Sequence, residues 1–160
     1  MTNIRKTSNL PLQGLTLVLI FGLLVSSCTE KDSSEITLVN YGTSFGECIG
    51  YCIQDMDVNP TLATLERFGW FDTIETQTCS LNMDDNHWEQ IITGIDVEIF
   101  IGLPETFGCP DCADGGAEWV EIELQNGEKH RVTFEYHNEP SELLSPVAKL
   151  RELLEALIPC

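Results

Sequence analysis

The chain is poor in basic residues, with 8 lysines and arginines against 26 aspartates and glutamates and a formal net charge of −18. Nucleic-acid binding depends on lysine and arginine contacts to phosphates, so this balance argues against a nucleic-acid partner. The same acidity opposes direct binding to an anionic lipid surface, so any membrane attachment has to come from another group. The sequence shows no internal repeat, and its 160 residues suit a single domain.

No apolar stretch is long enough to cross a bilayer comfortably, which takes about 20 apolar residues. The longest runs from Leu15 to Val25, follows a basic start at residues 5–6 and ends in two serines. A basic start, a short apolar core and small residues after it are typical of a secretory signal peptide. We therefore predict that residues 1–27 are removed, which leaves 6 basic and 26 acidic residues and a formal charge of −20.

A cysteine follows the small residues at once, in the stretch VSSC that ends at Cys28. This stretch resembles the lipobox of bacterial lipoproteins, in which the peptide is cut before the cysteine and the cysteine carries the lipid. The resemblance makes Cys28 the palmitate-type lipid attachment site, residues 28–35 a flexible tether, and the membrane a partner. Because Thr29 rather than aspartate follows, we expect sorting to the outer membrane, facing the periplasm or the cell surface. An ordinary secreted protein and an uncleaved anchor are the alternatives.

Six cysteines remain beyond Cys28, an even number that indicates disulfide bonds in an exported chain. Their pairing cannot be read from the sequence alone. Cys48 and Cys52 would lie about 13 Å apart in an extended strand, so they can bond to each other only if the chain turns at Gly50. The CPDC stretch at residues 109–112 suits a tight turn and a local bond. The disulfide candidates are Cys48, Cys52, Cys79, Cys109, Cys112 and Cys160, with Cys160 a candidate partner of Cys79.

Two chemical alternatives use the same cysteines. Cys109 and Cys112 have the spacing of a redox dithiol, but a thioredoxin-like pair opens a helix, whereas here ADGGAEW leads into a strand. With Cys48 and Cys52 they would supply four thiolates to a tetrahedral zinc site, although an oxidising envelope favours disulfides. We predict a stapled loop with no metal and no cofactor, and keep an envelope thiol-redox or zinc-dependent protein centred on Cys109 and Cys112 as the alternative.

Calcium binding and acid–base catalysis have weaker signals. Asp111, Asp114 and Glu118 lie near glycines, but their spacing is not that of an EF-hand, and aspartate and glycine are common in turns. No histidine has a recognisable nucleophile beside it, and no pair of carboxylates stands out, so we predict no catalytic residue. The side chains considered were His87, His130, His137, Glu118, Glu121 and Glu123.

A β-hairpin over residues 118–136 is the best-defined element, with its turn at an Asn-Gly pair. A two-residue loop would put the two apolar stripes on opposite faces. A three-residue loop with Gly127 in the left-handed conformation sets Val120 opposite Val132, so we predict that register. Trp119 then lies on the charged face, where it is either covered or part of a binding surface. The acid–base pairs of that face are Glu121 with Arg131 and Glu123 with Lys129.

The remaining elements complete an α+β domain over residues 36–160. Helical spacing of apolar residues predicts one helix within 83–95, capped by Asp84 or Asp85, and a second that begins at Ser145-Pro146. Residues 96–107 are a connection of undefined form. We expect a mainly antiparallel sheet of about five strands with two helices packed on it. The other predicted strands are 36–42, 53–58, 61–70 and 71–81.

Three stretches, SFGECIGYC, GCPDCADGGAEWVEIE and RVTFEY, resemble a family of uncharacterised bacterial proteins of Bacteroidota type, many of them lipoproteins. The resemblance covers roughly residues 40–155. It supports the fold and the lipoprotein interpretation and implies no activity. The cysteines that match the family are Cys48, Cys52, Cys109 and Cys112, and those that look like additions are Cys79 and Cys160.

Together these patterns predict a membrane-anchored envelope lipoprotein with a non-enzymatic binding or structural role. Its attachment to the membrane is through the lipid on Cys28. Its further partner is an unidentified protein or small molecule.

Overall fold

A seven-stranded sheet forms the centre of the part of the chain that the computed structural model describes, residues 34–72 and 74–158. The strand order is β4-β3-β2-β1-β6-β7-β5, and all neighbours are antiparallel except β5, which runs parallel to β7. The strands are β1 (Ile36–Ser44), β2 (Ile53–Val58), β3 (Leu62–Phe68), β4 (Gln77–Asn82), β5 (Thr106–Phe107), β6 (Ala117–Leu124) and β7 (Lys129–Glu135).

Three α-helices accompany the sheet in the described residues: α1 (Asp85–Ile92), α2 (Val97–Gly102) and α3 (Leu144–Leu157). The predicted α+β class is therefore confirmed. The sheet has more strands than the predicted five, and α2 and β5 both lie in residues 96–107, for which no form was predicted. Each is so short that it shows no readable periodicity in the sequence.

Alternation along the strands divides the sheet into two faces. The helix-covered face is apolar, and Tyr41, Met56, Leu65, Val120 and Val132 on it are almost completely buried. These residues share a face because a strand turns every second side chain to the same side. Together with side chains of all three helices they form one hydrophobic core. The outer face carries the polar and charged residues of the same strands. The helix residues deepest in this core are Ile91, Phe100, Val147 and Leu150.

The hairpin of β6 and β7 has the predicted register. Val120 lies opposite Val132, and Gly127 has the predicted left-handed conformation with a φ of 85°. On the outer face the Arg131 guanidinium lies 2.8 Å from the Glu121 carboxylate, and the Lys129 ammonium forms an equally short ion pair with Glu123. The register thus brings apolar residues together on one face and opposite charges together on the other.

Of the two predicted helix starts, that of α1 is correct and that of α3 is displaced. Asp84 caps α1 as predicted, since its side chain accepts a hydrogen bond from the His87 backbone N–H. Ser145 does not begin α3: the helix starts one residue earlier and continues from a 3-10 turn at Ser141–Leu143. Pro146 still falls in the first turn, where its missing N–H breaks no helical hydrogen bond.

The predicted strand over residues 71–81 is wrong in its first half. The chain forms a 3-10 turn at Trp70–Asp72, and β4 begins only at Gln77. Phe71 has a φ of 63°, which is incompatible with an extended strand.

No helix in residues 34–72 and 74–158 is long and apolar enough to cross a bilayer. The predicted signal peptide, the lipid attachment site Cys28 and the disulfide candidate Cys160 lie outside the described residues.

Candidate functional site

Two short disulfides staple two loops. Cys48 bonds to Cys52 with their Cα atoms 5.5 Å apart, and Cys109 bonds to Cys112 with theirs 5.4 Å apart. The first is possible because Gly50, with a φ of 99°, turns the chain between its two cysteines. Each pair closes on itself, so the four sulfurs of the alternative zinc site are taken up in disulfides. Cys79 is disulfide-bonded as well.

Both disulfides lie at the same end of the sheet, which we call the stapled end. It is the end where β1 finishes at Ser44, next to the first residue of β6, Ala117. The connections 45–52, 69–76 and 108–116 all meet there, as the antiparallel registers require. The opposite end, which we call the entry end, contains the first residue of β1, Ile36, and the turn of the β6–β7 hairpin.

The stapled end exposes large apolar side chains. Ile49 is fully exposed between its two bonded cysteines, and Phe71 is 94% exposed. The connection 45–52 and the 3-10 turn at Trp70–Asp72 border a cleft of about 560 Å³, which Trp70 lines. A hydrogen bond of 2.8 Å from Trp70 Nε1 to the Phe45 carbonyl oxygen holds one loop against the other. Exposed apolar side chains grouped around one cleft are typical of a contact surface.

The second stapled loop is held by carboxylates. Asp111 accepts a hydrogen bond of 3.2 Å from the Gly46 backbone N–H and so joins the two loops. Glu135 accepts one of 2.9 Å from the Cys109 N–H, and this bond lowers the pKa of the Glu135 carboxyl. Negative charge beside Cys109 disfavours a thiolate, which a reactive dithiol needs. This loop also has left-handed conformations at Asp111, Ala113 and Asp114.

The candidate calcium ligands are not brought together, because Glu118 lies on the helix-covered face. Its side chain is completely buried, and it accepts a hydrogen bond from the Tyr41 hydroxyl. It also accepts bonds of 2.8 and 2.6 Å from Arg151 of α3, and one of 3.0 Å from the His137 backbone N–H. Both carboxylate oxygens are therefore in use, which leaves this group unsuited to act as a catalytic base.

Arg151 binds a second carboxylate, that of Glu139, through contacts of 2.8 and 2.7 Å. Burial by itself lowers the pKa of the Arg151 guanidinium, but the hydrogen bonds that it donates to Glu118 and Glu139 outweigh this effect and raise that pKa above its usual range. The bond to Arg151 lowers the pKa of Glu139. Burial beside Glu118 raises the pKa of the Tyr41 hydroxyl. This buried cluster holds α3 against the sheet.

Sequence reasoning missed this cluster by grouping Glu118 with Glu121 and Glu123. The signal was present in the alternation, because position 118 has the same parity as Val120 and Ile122, which are fully buried. Nothing in the sequence pattern identified Arg151 as its partner, since the two lie 33 residues apart.

Trp119 is covered on the outer face, one of the two outcomes expected for it. It is 8% exposed, its ring lies over Gly42, and the Arg131 guanidinium carbon lies 5.2 Å from the ring centre. Its Nε1 donates a bond of 2.8 Å to Asn40 Oδ1. A Cβ at Gly42 would lie 2.6 Å from Trp119 Cε2, so only glycine admits the ring there. Asn40 in turn donates to the carboxylates of Asp55 and Asp57.

The three histidines lie on separate elements. His87 pairs with Asp84 at 2.8 Å, His130 contacts the Leu103 carbonyl oxygen at 3.0 Å, and His137 meets Glu118 only through its backbone. Among the described residues no group of three or more His, Cys, Asp or Glu side chains is arranged to hold a metal ion.

No protein-family model matches the chain, and no curated protein matches it.

Proposed function

We propose that the chain is a lipid-anchored envelope lipoprotein that binds a partner, without catalysis, through its stapled end. The observation that carries this proposal is the position of β1. The strand begins at Ile36, shortly after the predicted tether, and runs for 9 residues to the stapled end. At about 3.3 Å per residue, this separates the two ends by about 30 Å. A lipid on Cys28 would then leave both disulfide loops facing away from the membrane.

The geometry of the stapled end supports binding rather than catalysis. The disulfides hold the loops before a partner arrives, which reduces the entropy lost on association. Ile49 and Phe71 are exposed apolar side chains of the kind that anchor protein interfaces. Two carboxylates at this end, those of Asp111 and Glu135, accept backbone hydrogen bonds that fix the second stapled loop.

The anchor is tested by labelling cells with palmitate and comparing the wild-type chain with Cys28→Ser. We expect the wild type to carry label and to enter the detergent phase, and Cys28→Ser to lose both properties. Lys31→Ser, in the same tether, is the matched control and should behave like the wild type. Equal labelling of Cys28→Ser, or no labelling of the wild type, would contradict the anchor.

The binding surface is tested with a photo-crosslinking amino acid at Ile49 or at Asn126 of the anchored protein. Both positions are exposed, but Asn126 lies in the hairpin turn at the entry end. We expect a discrete protein cross-link from position 49 that Phe71→Ser abolishes, and none from position 126. Cross-links of equal yield from both positions, or from 126 alone, would place binding elsewhere.

The rival is an envelope thiol-redox or zinc protein, which the exposure of both Cys109 and Cys112 favours. Intact mass after alkylation without reductant, under native and denaturing conditions, separates the two. We expect no free thiol and no bound metal. Four thiols with one zinc ion would support a metal site, and two thiols that appear under mild reductant would support a redox pair.

A further inference from the structure

Strand β4 forms a long edge of the sheet. In the described part of the chain it pairs only with β3, while the other edge strand, β5, is only two residues long. A hydrogen bond of 3.0 Å from the Met83 N–H to the Thr61 carbonyl oxygen fixes which backbone groups face β3. By the alternation of an antiparallel pair, those of Thr78, Ser80 and Asn82 face away from the sheet.

Within the residues that the structure describes, β4 lacks the features of strand sequence and geometry that usually prevent strand addition. Natural edge strands carry charges, prolines or bulges, or are very short. The sequence of β4, QTCSLN, contains no charged residue and no proline, in a chain in which 21% of residues are charged. Its register with β3 is regular over six residue pairs, so no bulge disturbs it.

An apolar groove lies beside the last residues of β4. It has a volume of about 310 Å³ and runs between the end of β4, α1 and α3. Leu81, on the helix-covered side of β4, is 44% exposed at this groove. The polar groups at its rim already have partners: His87 Nδ1 lies 2.8 Å from the Asp84 carboxylate, and the Lys149 ammonium lies 3.0 Å from the Glu152 carboxylate. The apolar lining is formed by Leu81, Met83, Ile91, Leu153 and Ala156.

We propose that β4 binds an extended segment of a partner polypeptide as an additional antiparallel strand. Main-chain bonds to Thr78, Ser80 and Asn82 would hold the segment, and an apolar side chain beside Leu81 would enter the groove. Strand addition of this kind takes its affinity from the backbone and its specificity from such pockets. Because the chain has a formal charge of −18, we expect the segment to carry lysine or arginine near its apolar residue.

A second copy of this chain is a poorer occupant. Two molecules of net charge −18 repel each other. A two-fold axis between two β4 strands would also make them antiparallel and point the two entry ends in opposite directions. If both copies are anchored in one membrane, as the proposed function requires, one of them would have to turn its entry end away from that membrane to pair in this way. The edge itself lies outside the stapled end, so the two binding proposals stand or fall separately.

The probe is a nine-residue peptide of alternating leucine and threonine with a lysine at each end. Its control has the same side chains, but alternate backbone nitrogens are methylated, which removes their N–H donors. With the purified mature protein we expect the methylated peptide to bind at least tenfold more weakly. Hydrogen exchange measured by mass spectrometry should slow in residues 77–83 when the unmodified peptide binds.

Ser80→Pro removes one N–H that faces away from the sheet. An edge strand tolerates proline at such a position, because no hydrogen bond to the neighbouring strand is lost. This variant should weaken peptide binding at least tenfold, and so should Leu81→Lys, which places a charge at the groove. Thr64→Val, opposite Ser80 on β3, is the matched control and should stay within twofold of the wild type. Ile49→Ser, at the stapled end, should also leave this affinity unchanged.

Three results would overturn the proposal. One is no binding of the unmodified peptide up to about 1 mM. Another is equal binding of the methylated peptide. The third is exchange protection confined to the stapled end. Concentration-dependent dimers that Ser80→Pro abolishes would show that a second copy, and not a cationic segment, occupies the edge.

Discussion

One arginine determines the electrostatics of the buried cluster. Arg151 contacts Glu118, which is fully buried, and Glu139, which is nearly so. Removing one partner of a buried ion pair is costly, because the remaining charge keeps its desolvation penalty without compensation. An ion pair at the surface contributes little, because water solvates both groups. Arg131 with Glu121 on the outer face is such a pair, and its arginine is 45% exposed.

Replacing Arg151 by methionine should therefore lower the free energy of unfolding by about 3–5 kcal/mol. The measurement is urea denaturation followed by circular dichroism. Arg131→Met is the matched control, with an expected loss below about 1 kcal/mol, since its ion pair is partly exposed. Equal losses in the two variants would show that burial of Glu118 does not govern the stability of the cluster.

Phe71 combines exposure with an unfavourable backbone. Its φ of 63° is a conformation that costs an L-residue about 1–2 kcal/mol and that glycine adopts freely. Phe71→Gly should thus raise the free energy of unfolding by about 0.5–1 kcal/mol, after allowance for the flexibility that glycine adds to the unfolded chain. Thermal unfolding is the measurement. Ile49 is equally exposed but has no left-handed φ, so Ile49→Gly should not raise the free energy of unfolding. A lower free energy of unfolding in Phe71→Gly would contradict the proposed backbone strain.

At the scale of elements, α3 is held to the sheet by contacts that acid should weaken. The pKa of Glu139 is lowered by its bond to Arg151, so the native state binds fewer protons than the unfolded state at acid pH. The ionised Glu139 carboxylate makes its full contribution to stability above the ordinary glutamate pKa of about 4.3. That contribution is lost as the pH falls through the lowered pKa of the native state.

Glu139→Gln should consequently reduce the slope of the free energy of unfolding against pH below about pH 4.5. Glutamine does not titrate, so the native and unfolded states no longer differ in the protons bound at position 139. The measurement is the denaturation midpoint in urea between about pH 3 and 6. Glu155→Gln, at an exposed position of α3, is the control and should keep the slope of the wild type. An unchanged slope in Glu139→Gln would mean that the acid sensitivity arises elsewhere.

Elements with strong local rules were predictable from the sequence. The β6–β7 register followed from matching two apolar stripes and two sets of opposite charges around one Asn-Gly turn. The start of α1 followed from Asp84, because a capping side chain acts on backbone only three residues away. In both cases the information lies within about twenty residues of sequence.

Elements that depend on distant contacts were not predictable. Strand β5 consists of Thr106 and Phe107 and exists because it pairs in parallel with β7, more than twenty residues further along. The 3-10 turn at Phe71 requires a left-handed phenylalanine, which no local preference favours. The partner of Glu118 is on a helix that the sequence placed only in general terms. These features are selected by tertiary packing, which overrides local preference.

On the scale of the whole molecule, the described residues divide into a packed sheet-and-helix body and a stapled end. The core residues lie under the helices, whereas Ile49 and Phe71 extend from loops outside it. The two staples close loops only four and three residues apart in sequence, so they constrain the loops and not the strand order. Short loops lose little entropy in the unfolded chain when they are closed.

A variant with serine at Cys48, Cys52, Cys109 and Cys112 should therefore keep its sheet. We expect each missing staple to cost about 2 kcal/mol, the value that loop entropy gives for so few residues. Far-ultraviolet circular dichroism should be unchanged, while hydrogen exchange should accelerate in residues 45–52 and 108–116 alone. Cross-linking from position 49 should fall, because the loops are no longer held in place. If the variant instead loses the sheet, the staples belong to the core, and the separation of body from binding end is wrong.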